Sequence, residues 1–278
     1  MSGDGEIDRY AVVGNPVAHS LSPKIQTEFA RQTGQRLSYE AIELPSDGFA
    51  AGISELQQQS FRGLNVTVPF KREAWELCHS LSERAEIAGA VNTLSLQVDG
   101  SIHGDNTDGI GLIRDLVDNL KIEIQSQNVL LLGAGGAVRG VLGPLLALSP
   151  AQLTIANRNL DRANALAGDF TSYGQIEVLS YTQLSNESYD LIINATAAGL
   201  SQQLPPIPAS LLDPAVVCYD MMYDINKATR FVEWSTSRGV KQSFDGLGML
   251  VEQAAEAFSL WRGVRPQTAN LLRMLRTA

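Results

Sequence analysis

Between Val129 and Arg162 the chain reads VLLLGAGGAVRGVLGPLLALSPAQLTIANRNLDR, and few folds accommodate such a run. Val129 to Leu132 are four apolar residues, the length and character of a strand buried on both faces. Gly133-Ala134-Gly135-Gly136-Ala137 follows, then a helical stretch, then a second apolar run from Leu153 to Ala156. Strand, glycine turn, helix, strand is the opening unit of a dinucleotide-binding fold. One glycine permits the sharp bend, one lets backbone N–H groups approach a pyrophosphate, and one lets the helix lie close to the strand. The phosphates then meet a helix N-terminus, where unpaired N–H groups and the dipole favour negative charge.

Beyond the second strand, a chain that prefers NAD places Asp or Glu about 20 residues after the glycines, to accept from the ribose 2′-hydroxyl. This chain has Asn157-Arg158-Asn159-Leu160-Asp161-Arg162 there, and Asp161 comes several residues late. The flanking Arg158 and Arg162 suit a phosphate fork and stacking on adenine, which points to NADP. A solvated i,i+4 pair on one helix face is the alternative for these arginines.

The formal charge of −9 excludes nucleic acid as a general partner, so any phosphate-binding arginine acts locally against an acidic background. With 278 residues, 44% of them hydrophobic, the chain suffices for one large or two ordinary cores. Arg139, the glycines and two prolines interrupt the apolar stretch from Val129 to Ala156, which rules it out as a membrane span. Cys78 and Cys218 have neither CxxC nor metal spacing, and no leader pattern precedes them. A reducing cytoplasm is the expected setting.

From the N-terminus, Met1 to Asp8 reads as loose and Arg9 to Gly14 as a first strand. Ser22-Pro23 starts a helix that reaches Thr33, with Ser22 in the capping position and proline next. Ser20 has no such structural task. A strand from Leu37 to Leu44 and a helix from Ser46 to Gln59 follow. The β-branched residues Val66, Thr67 and Val68 predict a strand ended by Pro69, which leaves Lys71 just past a strand end. Open α/β sheets place ligands there, although a lone lysine is more often a solvated charge. A short helix from Ser82 to Ala90 leads to a hairpin, Val91–Val98 and Ser101–His103, turned by Asp99-Gly100. Asp108 then opens an amphipathic helix from Ile110 to Leu120, with helix capping as its alternative role. The Asp105-Asn106-Thr107-Asp108 run invites comparison with a calcium loop but lacks that loop's later ligands, so no metal is expected. Further strands are expected at Ile176–Leu179, Asp190–Asn194 and Ala215–Tyr219. The small residues Asn194 to Gly199 leave room for a cofactor. Helices from Met249 to Arg262 and from Gln267 to Leu275 close the chain.

A nicotinamide cofactor implies hydride transfer, and a carbonyl that receives hydride must also receive a proton. No motif supports the three histidines in that task. Lys71 with Asp108 is the better pair, an ammonium poised to deliver a proton beside a carboxylate that holds it.

Together these stretches resemble the shikimate/quinate dehydrogenase family: GNPVAHSLSP (Gly14–Pro23), NVTVPFK (Asn65–Lys71), AGAVNT (Ala88–Thr93), GDNTDG (Gly104–Gly109), GAGGA (Gly133–Ala137), Asn157-Arg158, INAT (Ile193–Thr196), YDMMY (Tyr219–Tyr223) and DGLGMLVEQA (Asp245–Ala254). The resemblance implies NADP-dependent interconversion of 3-dehydroshikimate and shikimate, with Lys71 as acid/base and Asp108 its partner. It implies that Ser20, Ser22 and Tyr223 bind the substrate carboxylate, and that Asn65, Thr67, Asn92, Asp108 and Gln253 hold the ring hydroxyls. Gly133, Ala134, Gly135, Gly136 and Ala137 would carry the pyrophosphate. Asn157, Arg158, Asn159 and Arg162 would carry the 2′-phosphate, and Met221 and Gly246 would border the nicotinamide. The implied architecture is α/β with two domains and a cleft between them. Residues 1–107 form the substrate domain, 108–248 a Rossmann-type NADP domain, and 249–278 helices that return to the first. A monomer or homodimer without nucleic-acid or membrane partners is expected.

Three departures stand out. Asn159 replaces a threonine common in relatives, and Val138 replaces a small residue and would crowd the helix start. Ala228-Thr229-Arg230-Phe231 replaces a Thr-Pro-Phe ending, which would loosen the loop beside Tyr223. Alternatives are an enzyme of the same fold that also takes quinate or NAD, and a non-catalytic NADP-binding sensor.

Overall fold

Strand β1 (Asp8–Gly14) pairs in parallel on both sides, with β2 (Leu37–Glu43) and β3 (Phe61–Val66). It is buried along most of its length, as a strand with two neighbours must be. The computed structural model describes residues 7–196 and 203–277. The expectations for Met1 to Glu6 and for Ala197 to Gly199 lie outside the described residues. The described chain divides into two compact units, residues 1–108 with 251–273, and residues 109–250 with 274–278.

The first unit carries a six-stranded mixed sheet in the order β2-β1-β3-β5-β6-β4. Its remaining strands are β4 (Ser80–Leu81) and the antiparallel pair β5 (Thr93–Leu96) and β6 (Ile102–Asp105). Helices α1 (Ser22–Thr33), α2 (Phe49–Gln58), α3 (Lys71–Leu77) and α4 (Glu83–Ala88) connect the strands. One core gathers Phe49, Ile53, Phe61, Leu64, Phe70, Val91 and Leu94. A second gathers Tyr10, Val12, Val17 and Tyr39 against Trp261. Trp261 comes from α9 (Leu247–Arg262), whose residues from Val251 onward belong to this unit. Its indole donates to the Leu94 carbonyl at 3.1 Å and lies where a Cβ on Gly63 would collide with it.

The second unit carries a sheet in the order β12-β11-β10-β7-β8-β9, parallel throughout. Its strands are β7 (Asn128–Leu132), β8 (Gln152–Ala156), β9 (Glu177–Leu179), β10 (Leu191–Asn194), β11 (Val217–Asp220) and β12 (Gln242–Phe244). Counted from β7, that is the 3-2-1-4-5-6 order of the doubly wound dinucleotide fold, whose direction reverses between β7 and β10. The helices are α5 (Asp108–Ile113), α6 (Gly136–Ala147), α7 (Leu160–Asp169) and α8 (Arg230–Ser237), and α10 (Ala269–Thr277) is shared between the units. The division falls after the first residue of α5, inside α9 and inside α10. Asp108 therefore sides with the first unit and the last five residues with the second, unlike the expected limits.

Four local expectations are corrected. The helix cap is Leu21, not Ser22: helix α1 already includes Ser22, and the Ser20 hydroxyl accepts from the Ser22 N–H at 3.2 Å. Ser20 thus has a local structural task after all. Strand β3 stops at Val66, because the Phe70 N–H donates to the Thr67 carbonyl at 3.1 Å and closes a turn over Val68 and Pro69. The helix expected from Ile110 to Leu120 starts at Asp108 and becomes a π-helical turn over Arg114–Asn119. Within that turn buried Asp115 accepts from the Tyr219 hydroxyl at 2.7 Å. Val138 is fully buried, yet α6 still begins at Gly136.

Candidate active site

Lys71 opens α3 immediately after the Thr67–Phe70 turn, and Asp108 opens α5 after β6. The Lys71 ammonium meets Asp108 Oδ2 at 2.5 Å, with the carboxylate side chain 9% exposed and the lysine 21%. The capping role considered for Asp108 is not seen. Its carboxylate bonds Lys71 and Asn92, while its backbone N–H donates to Asn106 Oδ1 at 3.1 Å. Asp108 Oδ1 accepts from Asn92 Nδ2 at 2.8 Å, so both oxygens receive donors suited to an ionised carboxylate.

Asn92 cannot be turned over. Its Oδ1 accepts from the Thr107 backbone N–H at 2.9 Å, which obliges Nδ2 to face Asp108. The same nitrogen reaches Thr107 Oγ1 at 3.0 Å and Gln253 Oε1 at 3.4 Å, and Thr107 Oγ1 lies 3.3 Å from Gln253 Oε1. Asn65, at the end of β3, donates from Nδ2 to the Asn92 carbonyl at 3.2 Å and to Thr93 Oγ1 at 3.1 Å. Lys71, Asn65, Asn92, Asp108 and Gln253 are thus gathered in one polar network of the first unit.

The other candidates of this unit stand beside it. Thr67 turns its methyl towards Gly14, where a Cβ would collide with it, and its hydroxyl takes no hydrogen bond among the described residues. Ser22 is buried beside the phenol of Tyr39. Tyr39, Thr93, Asn106 and Thr107 were given no task from sequence. The last three lie inside quoted motifs, whereas Tyr39 carries no sequence signal beyond its place in a strand.

In the second unit Gly133 adopts φ +110°, a conformation costly for any residue with a Cβ, and a Cβ there would stand only 3.3 Å from the Ala195 carbonyl oxygen. Ala134 is buried, and Gly136 and Ala137 form the first turn of α6, with open space where a Gly136 Cβ would stand. A guanidinium nitrogen of Arg162 lies 3.9 Å from where a Gly135 Cβ would be, so one of the two arginines reaches back to the glycine turn. Arg158 is exposed at the end of β8. Asn159 caps α7, its Oδ1 accepting from the Arg162 N–H at 2.9 Å, and Asn157 Nδ2 donates to the Asn159 carbonyl at 2.8 Å. A bare turn, a free helix start and two guanidinium groups together fit a dinucleotide with an additional phosphate.

Met221 and Gly246 sit together: a Cβ on Gly246 would strike the Met221 carbonyl, and the Gly246 N–H donates to the Met222 carbonyl at 2.9 Å. Burial raises the pKa of the Tyr223 phenol. The loop that follows is fastened despite its missing proline. Thr229 caps α8 and donates its hydroxyl to buried Asp220 at 2.7 Å. Burial raises the Asp220 pKa, against the donors Thr229, Met222 N–H and Asn194. Among the described residues no group of three His, Cys, Asp or Glu side chains could hold a metal, and no helix is long and apolar enough to cross a membrane.

Three family models match the chain in order: the shikimate dehydrogenase substrate binding domain over residues 12–94, shikimate / quinate 5-dehydrogenase over 115–202, and the shikimate 5′-dehydrogenase C-terminal domain over 246–273. A shikimate dehydrogenase (NADP(+)) of Aromatoleum aromaticum is 55% identical, covering 97% of both chains. The solved structure of an Ael1 enzyme from Pseudomonas putida superposes with a TM-score of 0.90 at 44% identity, over 96% of this chain and 98% of that one. That of shikimate 5-dehydrogenase from Thermus thermophilus, in complex with NADP(H) and shikimate, gives 0.86 at 33% identity over 98% and 99%.

Proposed function

The chain belongs to the shikimate dehydrogenase family, and from that membership we propose that it catalyses the reversible, NADP-dependent reduction of 3-dehydroshikimate to shikimate. The observation that carries this reading is the Lys71–Asp108 ion pair, fixed by Asn92 and set in a network of ring-hydroxyl partners. A bound nicotinamide supplies the hydride or takes it back. Lys71 gives a proton from Nζ to the substrate oxygen in the reducing direction and removes it in the other, while Asp108 holds the ammonium in place. Asn65, Thr67, Asn92, Asp108 and Gln253 orient the ring through its hydroxyls. Ser20 and Ser22 hold the substrate carboxylate, and Tyr223 supplies a further hydroxyl to it.

Gly133, Ala134, Gly135, Gly136 and Ala137 receive the pyrophosphate. Asn157, Arg158, Asn159 and Arg162 receive the 2′-phosphate, and Met221 with Gly246 borders the nicotinamide. The net charge of −9 supports the absence of nucleic-acid partners. The enzyme works as a monomer or homodimer in the cytoplasm, a setting in keeping with its two free cysteines.

The test is NADPH formation by purified protein with shikimate, run beside quinate and beside NAD. Turnover confined to shikimate with NADP is the expected result. Strong quinate or NAD activity would overturn the reading of the pocket or of Arg158, and binding of NADPH without turnover of any substrate would overturn the enzyme reading.

A further inference from the structure

Four hydrogen bonds in the first unit run in one direction. The Tyr39 hydroxyl donates to Asn65 Oδ1 at 2.7 Å, Asn65 Nδ2 donates to Thr93 Oγ1 at 3.1 Å, Thr93 Oγ1 to Asn92 Oδ1 at 2.9 Å, and Asn92 Nδ2 to Asp108 Oδ1 at 2.8 Å. Two backbone groups impose the direction. The Asn92 carbonyl can only accept, so it fixes the nitrogen end of Asn65; the Thr107 N–H can only donate, so it fixes the oxygen end of Asn92. Both hydrogens of the Asn65 amide are then committed inside the protein, and one lone pair of its Oδ1 is committed to Tyr39.

We infer that Tyr39 is a positioning residue: it holds in place the Oδ1 of Asn65, whose orientation the Asn92 carbonyl sets, so that Asn65 meets substrate as a pure hydrogen-bond acceptor. The inference rests on the reading of Asn65 as a substrate contact, and it adds chemistry to that contact. An amide held in this way recognises a donor, so the group it meets is a ring hydroxyl that remains a hydroxyl in both substrate and product. It does not meet the reacting carbon, whose oxygen alternates between donor and acceptor. Tyr39 is well placed for the task. It lies on β2, nearly buried, with its ring packed among Tyr10, Val12 and Val17 and 6.4 Å from the Trp261 ring. The ring is therefore anchored by strand and core, with the Ser22 hydroxyl beside its phenol.

Tyr39→Phe deletes the donor and keeps the ring. The expected result is a shikimate KM raised about five- to tenfold, the size of one lost hydrogen bond. The kcat, its pH profile and the NADP KM should stay within twofold, because the Lys71–Asp108 contacts are untouched. Two further variants separate the causes. Asn65→Ala should raise the shikimate KM at least as far, and the double variant should add little to it, as coupled partners do. Tyr10→Phe, in the same cluster, loses its bond from Arg262 at 3.2 Å and should leave the shikimate KM unchanged.

An unchanged KM in Tyr39→Phe beside a raised KM in Asn65→Ala would overturn the role of Tyr39 and leave the substrate contact standing. An unchanged KM in Asn65→Ala would overturn the contact itself. Equal KM increases in Tyr39→Phe and Tyr10→Phe would show general loosening of the cluster and overturn the inference.

Discussion

Lys71→Ala takes from Asp108 the ammonium that one of its oxygens meets. On the proposed chemistry kcat should fall by about 10²–10⁴, the usual contribution of a positioned acid/base. Binding of NADPH, followed by fluorescence, should change less than twofold. The 2′-phosphate reading is tested separately with Arg158→Ala. Losing a charge-assisted fork should raise the NADP KM by about 10- to 100-fold and leave the NAD KM nearly unchanged, read from initial rates with both cofactors. Lys71 and Asp108 stand out in the sequence because each lies just past a strand end or at a helix start, where ligands gather, whereas Asn65 and Asn92 enter only through the motifs of the resemblance. Tyr39 and Thr93 are given no task by either route. What gives Tyr39 its task is the pairing of β2 with β1 and of β1 with β3, and that juxtaposition is set by tertiary folding.

Thr229 shows how one element's start can compensate for a missing proline. Its hydroxyl oxygen accepts from the Val232 N–H at 3.4 Å while its proton goes to Asp220 at 2.7 Å, so the loop after Tyr223 is tied to the end of β11. Thr229→Ala should cost about 1–3 kcal/mol of unfolding free energy in urea titration, combining a lost cap with an under-satisfied buried carboxylate. Long apolar strands such as β7 and β8 were legible because burial on both faces leaves a continuous hydrophobic run. The two residues of β4 and three of β12 leave no such run. The π-helical turn was hidden for another reason. Less than one extra residue per turn over six residues leaves little mark on a 3.6-residue pattern, and the partner of its Asp115, Tyr219, is 104 residues away in sequence.

Charges distant in sequence tie the first unit together, and they make its stability depend on pH. Burial alone would raise the Asp105 pKa. The Arg84 fork, at 2.6 and 2.9 Å, with the Ser82 hydroxyl and the Asn106 N–H, outweighs burial and leaves it below its ordinary value. Because the ionised form is favoured in the fold, this contribution is complete above the unfolded carboxylate value of roughly 4. It disappears as pH falls through the lower folded value. Arg84→Met leaves the carboxylate buried without its cation, so the acid-unfolding midpoint, followed by circular dichroism, should move to higher pH. At neutral pH the cost should be about 3 kcal/mol. The same arginine reaches Glu256 on α9 at 3.1 Å. The division into a first α/β region and a dinucleotide fold was legible from the order of motifs. The expected limits fall one and two residues from the divisions at α5 and α9, and the one inside α10 leaves no mark because composition does not change along that helix.

The ownership of α9 also sets a timetable. A nascent chain emerges N-terminus first at about 5–20 residues per second. The sheet that needs Trp261 over Gly63 and beside Tyr39 is fully synthesised by Asp105, yet the helix carrying Trp261 belongs to residues 251–273. Residues 109–250 must leave the ribosome first, a wait on the order of ten seconds or more. For that interval the face formed by Tyr10, Tyr39 and Gly63 lacks its native cover, so the unit begun first is completed only after nearly all of the second has been made.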